Sequence, residues 1–394
     1  MLRFGQLFAS VPPRLASAGI MIALPILAVT EMNDVALGAA LVAIALAPSV
    51  IAAPFVGIIL DRAKAPRAVF VTVALITGAC FAIASGLGDI PTPIVMIALA
   101  LSGALNSVGF GGLSSFLSPI NGSMRRSYAL DALSYNISSV VGPALVALIG
   151  ATLGARTAMV LLAVIAALGA LGIFAMPIAP RKSERASVVR TILAGARALV
   201  RIRPLAVVTL SGTLNELGKG ALPIIAVAIA LRNDLSADAG GWQVTALALG
   251  ALLGTFIESV RPQRMSAALT MGISTGLTGV FLIIAGLDVG YAWTIGCTAL
   301  AGVFTAASTA SMLYLRRAHT PPQVAAQIFT VASAFRVGAG SASAGIAGLL
   351  VGVDPLWLLA GCGAIWIIAA LVLFAYPRGL DVRTGQMPVH GAVR

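Results

Sequence analysis

The 394 residues are 59% hydrophobic and only 10% charged, and the formal net charge is +12. A soluble domain carries about 25% charged residues, and a soluble chain of this length could not cover so much apolar surface. The basic residues occur in short clusters between hydrophobic runs, a pattern that excludes a nucleic-acid-binding protein and is typical of membrane-protein loops. The composition therefore predicts an all-α integral membrane protein whose solvent is the lipid bilayer.

Hydrophobic runs of the length that a bilayer requires follow one another along the whole chain. Because a spanning helix needs about 20 mostly apolar residues, we predict twelve spans. The first run continues past Pro25 and further spans follow, so we expect an uncleaved first helix and not a signal peptide. The predicted spans are 11–30, 37–60, 68–87, 94–117, 127–150, 156–177, 204–231, 242–258, 267–287, 291–315, 324–350 and 355–376.

The distribution of basic residues predicts the orientation. With the N-terminus in the cytoplasm, all but four of the 25 lysines and arginines fall in inner segments, as the positive-inside bias requires. An even number of spans returns the C-terminus to the same side. We therefore predict a multi-pass protein of the cell (plasma or inner) membrane with both termini cytoplasmic. The four exceptions are Arg156, Lys219, Arg232 and Arg336.

An internal repeat divides the chain into two halves. Residues 23–29 read ALPILAV and residues 221–227 read ALPIIAV, at an offset of 198. A glycine, an acid and two bases recur with identical spacing at an offset of 197: Gly57, Asp61, Lys64 and Arg67, then Gly254, Glu258, Arg261 and Arg264. We predict an N-terminal six-helix bundle (1–177), a cytoplasmic basic linker with an amphipathic helix (178–203), and a C-terminal six-helix bundle with a short tail (204–394).

Two segments carry a family resemblance. Residues 57–67, GIILDRAKAPR, match the glycine, the aspartate and the first base of the loop motif G-x-x-x-D-[RK]-x-G-[RK]-[RK], with Lys64 in place of the second glycine. Residues 127–148, SYALDALSYNISSVVGPALVAL, are similar to the fifth span of bacterial drug and metabolite exporters. The chain thus resembles the major facilitator superfamily, which implies twelve transmembrane helices in two pseudo-symmetric bundles. Many such exporters have an arginine in the fourth span, where this chain has none.

The resemblance also implies a conformational gate at the inner ends of the helices. In the superfamily, the aspartate of the loop motif contacts a helix N-terminus of the other half, where an anion is favoured. By resemblance we assign Asp61, Arg62 and Arg67 to this gate, with Asp131 as the expected partner of the arginines. The same basic residues also serve as a topology signal. The degenerate copy in the second half would comprise Glu258, Arg261 and Arg264.

Three ionisable residues lie midway along predicted spans: Glu216 and Lys219 in the seventh, and Arg336 in the eleventh. A charge in hydrocarbon is costly, so each is expected to face a partner or a cavity. Glu216 and Lys219 share a helix face at i, i+3 and form either a neutralising pair or a substrate and proton site. Arg336 either pairs with Glu216 across helices or binds an anionic group of the substrate.

Three amides also lie within spans: Asn106, Asn136 and Asn215. They either line a cavity or form hydrogen bonds between helices. Three separated cysteines and two histidines predict neither a metal site nor a cofactor. The sequence has no GxxxxGK[ST] and no HExxH pattern, so we expect neither ATP hydrolysis nor a metal-dependent enzyme.

Together these features predict a monomeric secondary active transporter and not an enzyme. The first hypothesis is a proton-coupled exporter of small amphipathic molecules or drugs that works by alternating access. The alternative is an importer or exchanger of an organic anion, or a lipid translocator. The expected partners are a small-molecule substrate, protons and the bilayer, with no nucleic acid.

Overall fold

The computed structural model describes residues 2–109, 113, 116, 124–174, 176, 178, 197–260, 265–320 and 325–377. For a few helix residues, including Asp61, Arg62 and Asn136, it describes the backbone alone. Within the described ranges the regular structure is helical, with one isolated bridge between Leu87 and Ile90. The prediction of an all-α fold is confirmed.

Thirteen α-helices are described, and two short 3₁₀ helices, Ala237–Ala239 and Leu373–Ala375, accompany them. Their bounds are α1 Leu2–Met32, α2 Val35–Arg62, α3 Pro66–Ser85, α4 Thr92–Ser107, α5 Met124–Leu153, α6 Ala155–Phe174, α7 Arg203–Gly220, α8 Leu222–Arg232, α9 Gly240–Val260, α10 Ala267–Ala285, α11 Tyr291–His319, α12 Ala325–Leu349 and α13 Pro355–Val372.

Ten stretches of the described helices are long and apolar enough to cross a membrane, and each coincides with a predicted span. The seventh of the twelve predicted spans is formed by α7 and α8 together. The two remaining predicted spans coincide with α4, an apolar helix of 16 residues, and with the longer α12. Large apolar side chains are exposed on these helices, among them Ile97, Leu171 and Ile346, as expected where lipid replaces water as the solvent.

Local sequence signals set several helix starts. The Asp34 carboxylate accepts a hydrogen bond from the backbone N–H of Leu37 at 2.9 Å, which caps α2. The Ser266 hydroxyl accepts one from Leu269 at 3.3 Å and caps α10 in the same way. Each cap satisfies a backbone donor that has no partner inside its helix. The short connections therefore end one span and start the next within a few residues.

The seventh span contains a break that the first span does not. In α1, Pro25 of the ALPI sequence lies inside a continuous helix. In the copy, α7 ends at Gly220 and Pro223 lies in the first turn of α8, where a residue without an N–H is tolerated. The break at Ala221 places the end of a helix within a membrane span, close to the charged residues of α7.

The helices group into two compact units. The first comprises Met1–Val188, Ala221–Thr245 and Ser341–Pro355, and the second comprises Val189–Gly220, Ala246–Gly340 and Leu356–Arg394. In the first unit, the Ser341 hydroxyl donates to the backbone carbonyl of Ala43 at 3.0 Å, so the last turns of α12 pack on α2. The predicted halves remain a prediction, and most of the predicted linker, 179–196, lies outside the described residues.

Candidate functional site

The charged residues of the seventh span lie on α7, in the second unit. Glu216 forms an ion pair with the guanidinium of Arg336 on α12, and each side chain is 24% exposed. Lys219 is exposed and forms no ion pair within the described part of the chain. Of the two pairings considered from sequence, the carboxylate is therefore bonded to the arginine of another helix and not to the lysine of its own.

The helices approach closely beside this pair because small residues line the contact. A Cβ atom on Gly220 would collide with the backbone of Gly340, so α7 ends against α12 with no side chain between them. Two residues earlier, a Cβ on Gly218 would collide with the indole ring of Trp366 in α13. Small residues are what allow transmembrane helices to come this close. The ion pair therefore lies where the backbones of α7 and α12 nearly touch.

A second arginine lies near the pair, although its position in the sequence is that of an inner-loop charge. The Arg316 side chain on α11 is only 1% exposed. Its guanidinium lies 5.8 Å from the ring centroid of Phe329 and interacts electrostatically with Arg336. The position of Arg316 three residues before the end of α11 could not reveal this, because burial depends on the packing of α7 against α11.

A polar cluster joins three helices of the same unit. The amide nitrogen of Asn215 donates to the Ser308 hydroxyl at 3.4 Å, and that hydroxyl lies 2.7 Å from the Thr275 hydroxyl. Asn215 and Ser308 are both buried. The contacts link α7, α10 and α11. They correspond to the interhelical hydrogen bonding that was one of the two roles considered for the amides.

The other two predicted amides belong to the first unit. Asn106 on α4 accepts a hydrogen bond from the Ser17 hydroxyl of α1 at 3.0 Å, and both residues line a cavity of about 30 Å³. A water needs about 10–15 Å³ of such volume, so the cavity has room for about two waters and not for an organic solute. The side chain of Asn136 lies outside the described residues.

The predicted gate residues are described in part. Arg67 donates to the backbone carbonyl of Met176 at 2.9 Å, and Glu258 is half-buried near the end of α9. The side chains of Asp61 and Arg62, and the residues Arg261 and Arg264, lie outside the described part of the structure. The gate therefore stays a prediction.

Asp131 has a described partner that the sequence analysis did not identify. Arg14 on α1 lies 2.8 Å from the Asp131 carboxylate and also donates to the Asp131 carbonyl at 3.1 Å and to the Ser134 hydroxyl. Its guanidinium lies 3.7 Å from the ring centroid of Tyr135. The result is a second ion pair, which is buried between α1 and α5 of the first unit.

One segment of α10 matches a short motif of serine hydrolases. Residues 272–276, Gly-Ile-Ser-Thr-Gly, spell the G-x-S-x-G pattern of serine hydrolases. In those enzymes the serine lies on a sharp turn between a strand and a helix. Here Ser274 is buried inside α10, and its backbone carbonyl accepts a hydrogen bond from Thr278 one turn later. The match is therefore part of a transmembrane helix.

Comparisons with known proteins agree with this architecture. The sequence model of the Major Facilitator Superfamily matches residues 7–218. The chain is 25% identical over 390 residues to the uncharacterized MFS-type transporter y4rN of Sinorhizobium fredii (strain NBRC 101917 / NGR234), covering 95% of this chain and 94% of that one.

Solved structures share the fold at low sequence identity. The nucleoside transporter NupG superposes with a TM-score of 0.76 at 13% identity, over 95% of this chain and 100% of that one. A POT family transporter in complex with a thioalcohol-conjugated peptide superposes with a TM-score of 0.74, also at 13% identity, over 95% of each chain. At this level of identity the likeness concerns the fold.

Proposed function

The chain belongs to the major facilitator superfamily and is a multi-pass membrane transporter, and from this premise we propose that it is a proton-coupled exporter of small amphipathic molecules. The observation that carries the proposal is the ion pair between Glu216 of α7 and Arg336 of α12, two residues that lie midway along predicted spans, close to the break at Ala221. Glu216 would be the residue that accepts and releases the coupling proton.

The coupling follows from the energetics of a charge pair in a poorly solvated site. While Glu216 is ionised, it neutralises Arg336 and holds α12 against α7. A proton on Glu216 leaves the arginine charge uncompensated, and an uncompensated charge inside a membrane protein costs at least a few kcal/mol. The arginine then favours a conformation in which it reaches water or an anion. Protonation would thus favour the opening of the contact between α7 and α12.

The proposal also includes the mode of transport, the orientation in the membrane and the conformational gate. Transport would occur by alternating access in a monomer of the cell membrane with both termini in the cytoplasm. Asp61, Arg62 and Arg67 would stabilise the closed inner side, with Glu258, Arg261 and Arg264 as the weaker copy. The basic segments that set this orientation are those of the positive-inside pattern.

The proposal is tested by measuring proton release when candidate amphipathic substrates are added to the purified protein in weak buffer. We expect a substrate-dependent release in the wild type and none in Glu216→Gln. Asp234→Asn, which removes an exposed carboxylate that has no part in the proposed gate, is the matched control and should release protons as the wild type does. Substrate binding without proton release in the wild type would overturn coupling through Glu216.

A second candidate, exchange or import of an organic anion, is favoured by the charge balance of the second unit. Glu216 is the only carboxylate among the described residues of α7, α11 and α12, whereas these helices carry several cations, including Lys219, Arg316 and Arg336. An anion exchanger should lose transport when Lys219 and Arg336 are replaced by glutamine. An exporter of uncharged amphipathic molecules should respond mainly to Glu216→Gln.

A further inference from the structure

Arg316 is a buried cation without a carboxylate partner in the described part of the chain. Its side chain is 1% exposed, and it is among the largest fully buried side chains. Both Nε and Nη2 are buried without a hydrogen-bond acceptor among the described residues. Glu216, the carboxylate of α7, is engaged by Arg336. A guanidinium has five donors and is not deprotonated in proteins, so this site keeps a positive charge with open donors.

The surroundings of Arg316 are apolar on one side and charged on the other. Phe329 offers a ring face at 5.8 Å, within the range of a cation–π contact. Met312 lies one turn earlier on α11, and Gly212 of α7 leaves the space that Met312 and Arg316 occupy, since a Cβ there would collide with the Met312 sulfur. Gly212 therefore lets the guanidinium approach α7 one turn from Glu216.

The charges of this region do not cancel. Arg316 and Arg336 repel each other, while Glu216 compensates only one of them. A buried charge without a partner is strongly unfavourable, and a structural role would be served by an apolar residue at lower cost. The arrangement is instead what a bound oxyanion would complete, because a guanidinium fork matches a carboxylate in charge and geometry.

We propose that Arg316 is the residue that binds an anionic oxygen group of the transported solute. The solute is then an amphipathic organic anion whose carboxylate or similar oxyanion meets Arg316, with its apolar part against Met312 and Phe329. This inference rests on the proposed function in one respect, namely that solute binds beside α7, α11 and α12. It holds for either direction of transport and does not depend on proton coupling.

The test measures the binding of defined anions to the purified protein in the absence of an ion gradient. Binding is monitored by the shift in unfolding temperature and by calorimetric titration. The probes are benzoate, octanoate and inorganic phosphate, with benzamide as the uncharged analogue of benzoate. The variants are Arg316→Gln and Arg316→Lys. Arg317→Gln is the matched control, because it removes the same charge from the adjacent residue, whose side chain is exposed.

We expect at least one anion to raise the Tm of the wild type while benzamide does not. Arg316→Gln should raise the Kd for that anion at least tenfold, as expected for loss of a charged hydrogen-bond partner. Arg316→Lys should be intermediate, and Arg317→Gln should stay within twofold of the wild type. Without anion, Arg316→Gln should unfold at the same or a higher temperature, because it removes a buried unpaired charge.

Two results would overturn the proposal. One is an anion affinity of Arg316→Gln equal to that of the wild type. The other is the failure of every anion to stabilise the wild type. Neither bears on coupling through Glu216, which is read from proton release. Loss of proton coupling with Arg316-dependent binding intact would in turn refute the coupling and leave this inference standing.

Discussion

The guanidinium of Arg14 in α1 lies 2.8 Å from the carboxylate of Asp131 in α5, and both side chains are almost completely buried. The repeat offset of about 198 relates α1 to the seventh span, and an offset of 197 carries α5 onto 321–350, which contains α12. The pair of Glu216 and Arg336 therefore joins the equivalent helices of the other half with the charges exchanged. The predicted repeat thus relates these two ion pairs to each other, with opposite polarity.

The buried pair in the first unit gives a stability prediction. Asp131→Leu leaves Arg14 charged and without its carboxylate, so we expect a loss of about 3–5 kcal/mol in the free energy of unfolding. The double variant Arg14→Leu, Asp131→Leu removes both charges and should recover most of that loss. Thermal and denaturant unfolding of the purified protein measure the stability of the single variant and of the double variant. A double variant no more stable than the single one would show that the ion pair is not what Asp131 contributes.

The close approach of α7 and α12 gives a second prediction. Gly220→Ala places a methyl group against the backbone of Gly340, so the helices must separate, at a cost of about 1–3 kcal/mol. Gly296→Ala in α11 is the control, because nothing lies within 4 Å of its Cβ position, and alanine favours the helix there by up to about 1 kcal/mol. The measurement is the unfolding temperature of each of the two variants relative to the wild type. Equal effects of the two substitutions would refute the packing argument.

The contact between α2 and α12 permits a crosslinking test of alternating access. A Cβ on Gly345 would lie 3.9 Å from the Cβ of Ala43, within the range of a disulfide. We expect Ala43→Cys, Gly345→Cys to crosslink on oxidation and to stop transport, and reduction to restore it. The native cysteines, which are buried, should not interfere.

The control for this experiment is Ala43→Cys combined with Gly352→Cys. Nothing lies within 4 Å of the Cβ position of Gly352, so this combination should neither crosslink nor lose transport. Continued transport by the fully crosslinked protein would contradict a cycle in which these ends of α2 and α12 separate.

The polar cluster of α7, α10 and α11 gives a fourth prediction. Interhelical hydrogen bonds in membrane proteins contribute about 0.6 kcal/mol on average. Ser308→Ala removes the group that contacts both Asn215 and Thr275, so we expect a loss of about 0.6–1.7 kcal/mol with transport retained. Unfolding and uptake or efflux assays are compared with Ser266→Ala, which removes only the cap of α10. Loss of transport at unchanged stability would instead place the cluster in the solute site.

Much of the fold followed from the sequence for a simple reason. In a bilayer, each span must satisfy its backbone hydrogen bonds within its own helix, so hydropathy and length alone locate the spans. Ten predicted spans coincide with helices that meet both criteria. The motif at Gly57–Asp61 and the segment around Asp131 likewise indicated the superfamily, which the match over residues 7–218 confirms.

The ionic contacts depended on information that no local pattern carries. Sequence placed Glu216 within three residues of Lys219, yet the partner in the structure is Arg336, 120 residues away. Arg14 and Arg316 resembled topology charges because they lie near span ends, but the packing of neighbouring helices buries both. Glu216 binds Arg336 because α7 and α12 approach each other closely, and Gly220 and Gly340 on these two helices permit that approach.

The ALPI sequences of the two halves illustrate the same division. The sequence by itself determined where the spans lie, that two halves repeat, and which residues carry charge into the membrane. Gly218 and Gly220 with Pro223 indicated that the seventh span can bend or unwind, but the sequence did not determine that Pro25 lies within a continuous helix while Pro223 begins a new one. Only the tertiary structure decided which helix this break meets, because the contact of Gly220 with the backbone of Gly340 joins residues that are 120 positions apart in the chain.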